Sequence, residues 1–250
     1  MLLFDAGNSR CKWAWIEQGK WLRQGVLDNG DDAAWQKLQD ICAGLESPQH
    51  ILVSNVAGVV LEQRLRTLCK AWPCKVQFMQ AQAAQCGVRN TYQHAAQLGS
   101  DRWAALIAAW QRVHGACLVV NCGTATTVDA LSNTGEFLGG LILPGMELMR
   151  RSLLHNTAQL GLNQGEVCDF PRNTADAIAS GTMRATTGAI QQQYALLAAQ
   201  NGVRCLVSGG AASSLLRHLM PHLGPAVEQV ENLVLQGMQI VVQDCSTISK

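Results

Sequence analysis

Asp5-Ala6-Gly7-Asn8-Ser9 and Asn121-Cys122-Gly123-Thr124-Ala125-Thr126-Thr127 are two glycine turns of similar build, one near the start of the chain and one near its middle. Each follows an apolar run that reads as a strand, Leu2 to Asp5 for the first and Ala116 to Val120 for the second. Glycine has no Cβ, so such a turn lets backbone N–H groups and short hydroxyl or amide side chains close in on an anion. Two of them in one chain predict two half-sites gripping one polyphosphate.

Outward from the first turn, Lys12 to Glu17 alternates as a strand does, Gln18-Gly19-Lys20 turns, and Trp21 to Leu27 makes a third strand. A helix over Asp31 to Gly44, a strand over Ile51 to Ser54, a helix over Val59 to Lys70 and a strand over Val76 to Met79 then open an α/β unit. Gly99-Ser100-Asp101-Arg102 leads into Trp103 to Val113, whose alanines and large apolar residues favour a helix. Beyond Gly115 the pattern repeats: the second turn, a strand over Thr127 to Leu131, a hairpin turn at Ser132-Asn133-Thr134-Gly135 and a strand over Phe137 to Ile142. Helices are expected from Pro144-Gly145 to Leu160, over Thr174 to Ala199 and near Asn232 to Gln243, with a strand over Arg204 to Ser208 turning at Gly209-Gly210 into another helix. The 250 residues suit one large domain or two smaller ones, and the echo favours two, cut near Gly115 into 1–115 and 116–250.

A net charge of +1 offers no global attraction to nucleic acid or to an acidic membrane, and a small-molecule site is the simpler expectation. Hydrophobic residues at 48% against 15% charged exclude a disordered chain. The ten cysteines show no C-x-x-C pair and no Cys/His spacing suited to structural zinc. Met1-Leu2-Leu3-Phe4-Asp5 lacks the basic start of a secretory signal, and no apolar stretch approaches a membrane span, so a cytoplasmic protein with reduced thiols is expected.

Each motif has an ordinary alternative. Asp5 to Ser9 alone is compatible with a hairpin turn and a capping aspartate, and the second turn with a polar hairpin rich in strand-favouring threonine. Gly99 to Arg102 alone is compatible with helix capping beside a surface ion pair. In an enzyme, Asp101 would accept a proton from a substrate hydroxyl and Arg102 would bind a substrate carboxylate through two parallel bonds. A P-loop is disfavoured, because no G-x-x-x-x-G-K-[ST] occurs.

Asp5 to Ser9, backed by Arg10 and Lys12, resembles the first phosphate turn of the actin and sugar-kinase superfamily. Together with Gly99-Ser100-Asp101-Arg102-Trp103, Gly123-Thr124-Ala125-Thr126-Thr127, Gly139-Gly140-Leu141-Ile142-Leu143-Pro144-Gly145 and Asn173-Thr174, it resembles type III pantothenate kinase over nearly the whole chain. The resemblance implies two tandem ribonuclease H-like domains of the actin-like ATPase class, an α/β fold with the active site in the cleft between them. It implies ATP contacts from Asp5, Ala6, Gly7, Asn8, Ser9, Arg10, Cys11 and Lys12, and from Thr124. Magnesium would be held by Asp5 through water, and Ser208-Gly209-Gly210-Ala211 would face adenosine. Tyr92, Gly99, Ser100, Asp101 and Arg102 would bind pantothenate, with Asp101 as the general base. Thr174 would complete that pocket from the neighbouring subunit of a homodimer.

Asn121 departs from the family pattern, which has an aspartate there on an activating potassium or ammonium ion. A neutral amide offers one oxygen without the charge, so a weakened monovalent-cation requirement is expected. Two other functions compete: a kinase for a sugar or amino sugar, which would give Arg102 no carboxylate to bind, and a non-catalytic regulatory relative, against which Asp5, Asp101, Arg102 and Thr124 all stand.

Overall fold

Leu2, Leu3 and Phe4 are all buried, so the strand that carries them is covered on both faces and must lie inside a sheet. In the computed structural model, which describes residues 1–155 and 165–248, that strand is β1 (Leu2–Ala6). It pairs antiparallel with β2 (Arg10–Glu17), which pairs antiparallel with the largely exposed edge strand β3 (Lys20–Asp28). Helix α1 (Asp32–Ala43) starts where the Asp31 side chain accepts the Ala34 N–H, and it ends at Gly44. Then come β4 (Ile51–Asn55), α2 (Val59–Leu68) and β5 (Val76–Phe78), giving a five-stranded sheet in the order β3-β2-β1-β4-β5 with β4 and β5 parallel to β1. Trp35 and Leu38 of α1 and Leu61 and Leu65 of α2 pack into the core that Phe4, Trp13 and Val53 supply. A short hairpin, β6 (Ala84–Gln85) and β7 (Val88–Asn90), precedes α3 (Ser100–Val113).

The same order then recurs. Strands β8 (Cys117–Cys122), β9 (Ala125–Leu131) and β10 (Glu136–Pro144) form the second meander, followed by α4 (Met146–His155) and α5 (Thr174–Leu197). After them come β11 (Arg204–Ser208), α6 (Ala212–Leu223) and β12 (Val227–Gln229). The strand order β12-β11-β8-β9-β10, with β11 and β12 parallel to β8, repeats the first sheet's β5-β4-β1-β2-β3. Leu118, Val120, Val128, Ile190, Val207 and Leu215 form its core. The expected end of α4 at Leu160 lies outside the described residues. The fold is therefore α/β with two ribonuclease H-like sheets; β6, β7 and β12 had no clear signal in the sequence.

The chain ends in α7 (Leu233–Ile248), and this helix changes the division into units. One compact unit is Met1–Ala108 together with the chain from Leu233 onward, and the other is Ala109–Asn232, so the border falls inside α3. A single cut near Gly115 would leave α7 with the second half. The helix instead buries Leu233, Leu235 and Met238 in the first unit, where Trp21 Nε1 donates to Gln239 Oε1 at 2.7 Å. Close approach is the physical reason: Gly237 faces the Ala104 backbone with no room for a Cβ. No helix among the described residues is long and apolar enough to cross a membrane.

Gly237→Ala would gain up to about 1 kcal/mol of helix propensity. It would also drive a methyl into the Ala104 carbonyl, a form of overpacking that costs about 1–3 kcal/mol or more and cannot relax by a rotamer change. The net expectation is a lower Tm in a thermal melt. An unchanged or raised Tm would contradict this packing of α7.

Candidate active site

The parallel pairing of β1 with β4 and its antiparallel pairing with β2 put three polar residues in one cross-strand row: Lys12, Asp5 and Ser54. Burial pushes the Asp5 carboxyl up to about 7, because the ionised form loses water; Lys12 pulls it down and Asp101 pushes it further up. The row continues beyond the sheet, since the buried Ser54 shares a hydrogen bond with Ser100 at 2.9 Å, Oγ to Oγ. Ser100 opens α3, so this bond fixes the helix start against the end of β4.

Asp101 and Arg102 follow at once. Asp101 accepts the Arg102 N–H at 2.8 Å, which helps the carboxylate, yet burial outweighs that bond and the Arg102 charge and raises its pKa from the ordinary aspartate value. Gly99 leaves room for that carboxylate, since a Cβ there would sit 2.7 Å from Asp101 Oδ1. Arg102 is only 6% exposed and donates to the Tyr92 hydroxyl at 3.3 Å. The Tyr92 loop is shaped by Asn90, whose Oδ1 accepts the Tyr92 N–H at 3.1 Å and whose Nδ2 donates to Ala95 O. The first unit thus brings Asp5, Lys12, Ser100, Asp101, Arg102 and Tyr92 into one linked set. Ser54 and Asn90 belong to that set although nothing in the sequence singled them out.

The first turn, Gly7-Asn8-Ser9, closes β1 onto β2 with Gly7 N–H donating to Arg10 O at 3.1 Å. Asn8, Ser9 and Arg10 are exposed, whereas Cys11 is buried in the core. Cys11 has its side chain among Phe4 and Val53, so only its backbone is suited to the nucleotide contact the resemblance implied. Six of the ten free cysteines are buried, and burial holds thiols such as Cys42 protonated, with a pKa of about 11.

The second turn is tighter than the sequence led one to expect. Only Gly123 and Thr124 lie between β8 and β9. Thr126 and Thr127 are strand residues, 1% and 9% exposed, so Thr124 is the threonine of that group that faces out. Gly145 N–H donates to Thr124 O at 2.9 Å, and Gly209, at φ +101°, lies against the Cys122 backbone where a Cβ would collide. Two glycines from two other segments therefore seat this turn. Here the cross-strand row is Thr127, Asn121 and Ser208, so register makes Asn121 the counterpart of Asp5. Thr174 starts α5 as an exposed residue, after Asn173 caps the helix by accepting the Asp176 N–H at 2.9 Å.

Among the described residues no group of three or more His, Cys, Asp or Glu could hold a metal by itself. A single strand-end carboxylate such as Asp5 suits a magnesium ion that takes most of its ligands from water and phosphate oxygens.

A family model described as type III pantothenate kinase matches residues 1–196. A curated type III pantothenate kinase from Nitrosospira multiformis is 45% identical over 248 residues, covering 98% of this chain and 92% of that protein. Among solved structures, a Campylobacter jejuni protein titled as a Baf family transcriptional activator superposes with a TM-score of 0.64 at 21% identity, covering 99% of this chain and 100% of its own. Spiroplasma citri MreB5, solved with AMPPNP, gives 0.57 at 11% identity, covering 98% and 96%. These two likenesses concern the fold alone.

The raised Asp5 carboxyl has a consequence for stability. Its pKa is 3.8 when unfolded and about 7 when folded, so the native chain holds an extra proton between those values and loses stability as pH rises through that window. Asn at this position carries no such penalty. In metal-free buffer Asp5→Asn is expected to raise Tm relative to wild type, by a margin that widens from pH 5 to pH 8. A margin that narrows over that range would contradict the burial of an acid here.

Proposed function

The chain belongs to the type III pantothenate kinase family, and on that premise we propose how its residues share the transfer of a phosphoryl group from ATP to the 4′-hydroxyl of pantothenate, the first step of coenzyme A biosynthesis. Arg102 receives the pantothenate carboxylate, with Tyr92 holding the guanidinium in place and Gly99 and Ser100 lining the pocket. Asp101 accepts the hydroxyl proton as the hydroxyl oxygen bonds to the γ-phosphorus. The bond from that phosphorus to the β,γ-bridging oxygen breaks, and ADP leaves. The observation that carries this reading is the Asp101–Arg102 pair, an acid of raised pKa beside a buried guanidinium. A neutral sugar would offer no carboxylate for that guanidinium to bind.

The backbone of Asp5 through Lys12, the Lys12 ammonium and Thr124 bind the ATP phosphates, and the Ser208-Gly209-Gly210 bend faces adenosine. Magnesium, when bound through water to Asp5, supplies charge neutralisation for the phosphates. Thr174 completes the pantothenate pocket of a second copy in a homodimer. Exposed Leu138 and Ile142 on β10 and Leu196 on α5 support that association, since such side chains gain from being covered.

Asp101→Asn keeps the shape and the Arg102 N–H bond but cannot take a proton. It is expected to bind ATP as wild type does and to lose about 10²–10⁴-fold in kcat; near-normal turnover would remove Asp101 from the role of base. Asn121 lacks the charge that attracts a monovalent cation, so turnover should depend only weakly, or not at all, on replacing sodium with potassium or ammonium. A steep potassium requirement would contradict that reading.

A further inference from the structure

Asn29 lies in the short link between β3 and α1, and its amide is turned onto the first glycine turn. Nδ2 donates to Gly7 O at 2.7 Å and to Asn8 O at 3.0 Å, while the Asn29 backbone N–H donates to Ser9 O at 2.9 Å. The nitrogen must face the turn, because both partners are carbonyl acceptors and Oδ1 in its place would meet two oxygens. Oδ1 is buried with no hydrogen-bond partner among the described residues. One residue therefore holds three successive carbonyls.

Peptide planarity turns this into a statement about the other side of the loop. No cis peptide bond occurs, so each carbonyl is antiparallel to the N–H of the next residue. With the carbonyls of Gly7, Asn8 and Ser9 drawn toward Asn29, the N–H groups of Asn8, Ser9 and Arg10 are turned away from it together. All three residues are exposed. Successive N–H groups on one side of a turn make an anion-binding concavity.

Asn29 is itself held from behind. Arg64 of α2 donates to Asn29 O at 3.4 Å, pairs with Asp32 at 2.7 Å and lies over the Trp35 ring at 4.5 Å. The amide thus acts from a frame tied to two helices.

We propose that Asn29 is a positioning residue that aligns the Asn8, Ser9 and Arg10 N–H groups for the phosphates of the nucleotide. The inference rests on the reading of ATP as phosphoryl donor. By calorimetry, Asn29→Ala is expected to weaken ATP binding about tenfold or more, from the loss of two hydrogen bonds, while pantothenate binding stays as in wild type. Gln239→Ala, which loses the Trp21 bond elsewhere in the same unit, serves as a destabilised control with wild-type ATP affinity. Unchanged ATP affinity in Asn29→Ala, or equal weakening toward ATP and pantothenate, would overturn the proposal. If Asn29→Ala does not fold, the wild-type protein decides. In a nitrogen-15 spectrum, ADP should shift the Asn8, Ser9 and Arg10 amide signals together, and their failure to move would overturn the proposal. A wild-type protein that binds no ATP would sink the kinase reading itself, whereas tight binding with an indifferent Asn29 variant sinks only the role of Asn29.

Discussion

The register of β1 between β2 and β4 is the constraint on which the candidate site depends. It sets Asp5 beside Lys12 on one flank and Ser54 on the other. A slip of one residue would turn Asp5 to the other face of the sheet, because side chains alternate along a strand. The run Leu2, Leu3 and Phe4 is apolar on both faces, so what opposes such a slip is Asp5 itself, which would be carried onto the core face of Phe4 and Ala6. Ser54 then hands the order on to Ser100, and so the first turn of α3, with Asp101 and Arg102, is referenced to the same sheet.

The second unit uses the same device with different chemistry. Its row of Thr127, Asn121 and Ser208 is neutral throughout, whereas the first row holds an acid and an amine. Topology is thus repeated while charge is not. The acid of the first row is kept at an electrostatic cost, visible in its raised pKa. Such a cost is common where a group is retained for its chemistry and not for its contribution to stability.

Much of this was legible in the sequence, for local reasons. The meanders and the alanine-rich α3 each announce themselves within a few residues. The glycine turns and the Asp101–Arg102 pair do so as well. What escaped depends on distant partners. Asn29 reaches back to Gly7 and Asn8, and Ser54 looks like the polar end of an apolar strand until α3 is laid beside it. The tightness of the second turn was hidden because threonine suits a strand as well as a polar loop. The return of α7 to the first unit was hidden because its apolar face would fit either sheet, and the choice rests on the close approach of Gly237 to Ala104.

The family assignment and the Asp101–Arg102 pair make one claim about chemistry, that an alcohol on a carboxylate-bearing acceptor is phosphorylated at the expense of ATP. Phosphorus-31 NMR of the wild-type protein with ATP, magnesium and pantothenate reads that claim directly. A new phosphomonoester signal is expected to grow in step with ADP and to depend on pantothenate. ATP consumption that ignores pantothenate, or release of inorganic phosphate without the ester, would contradict it.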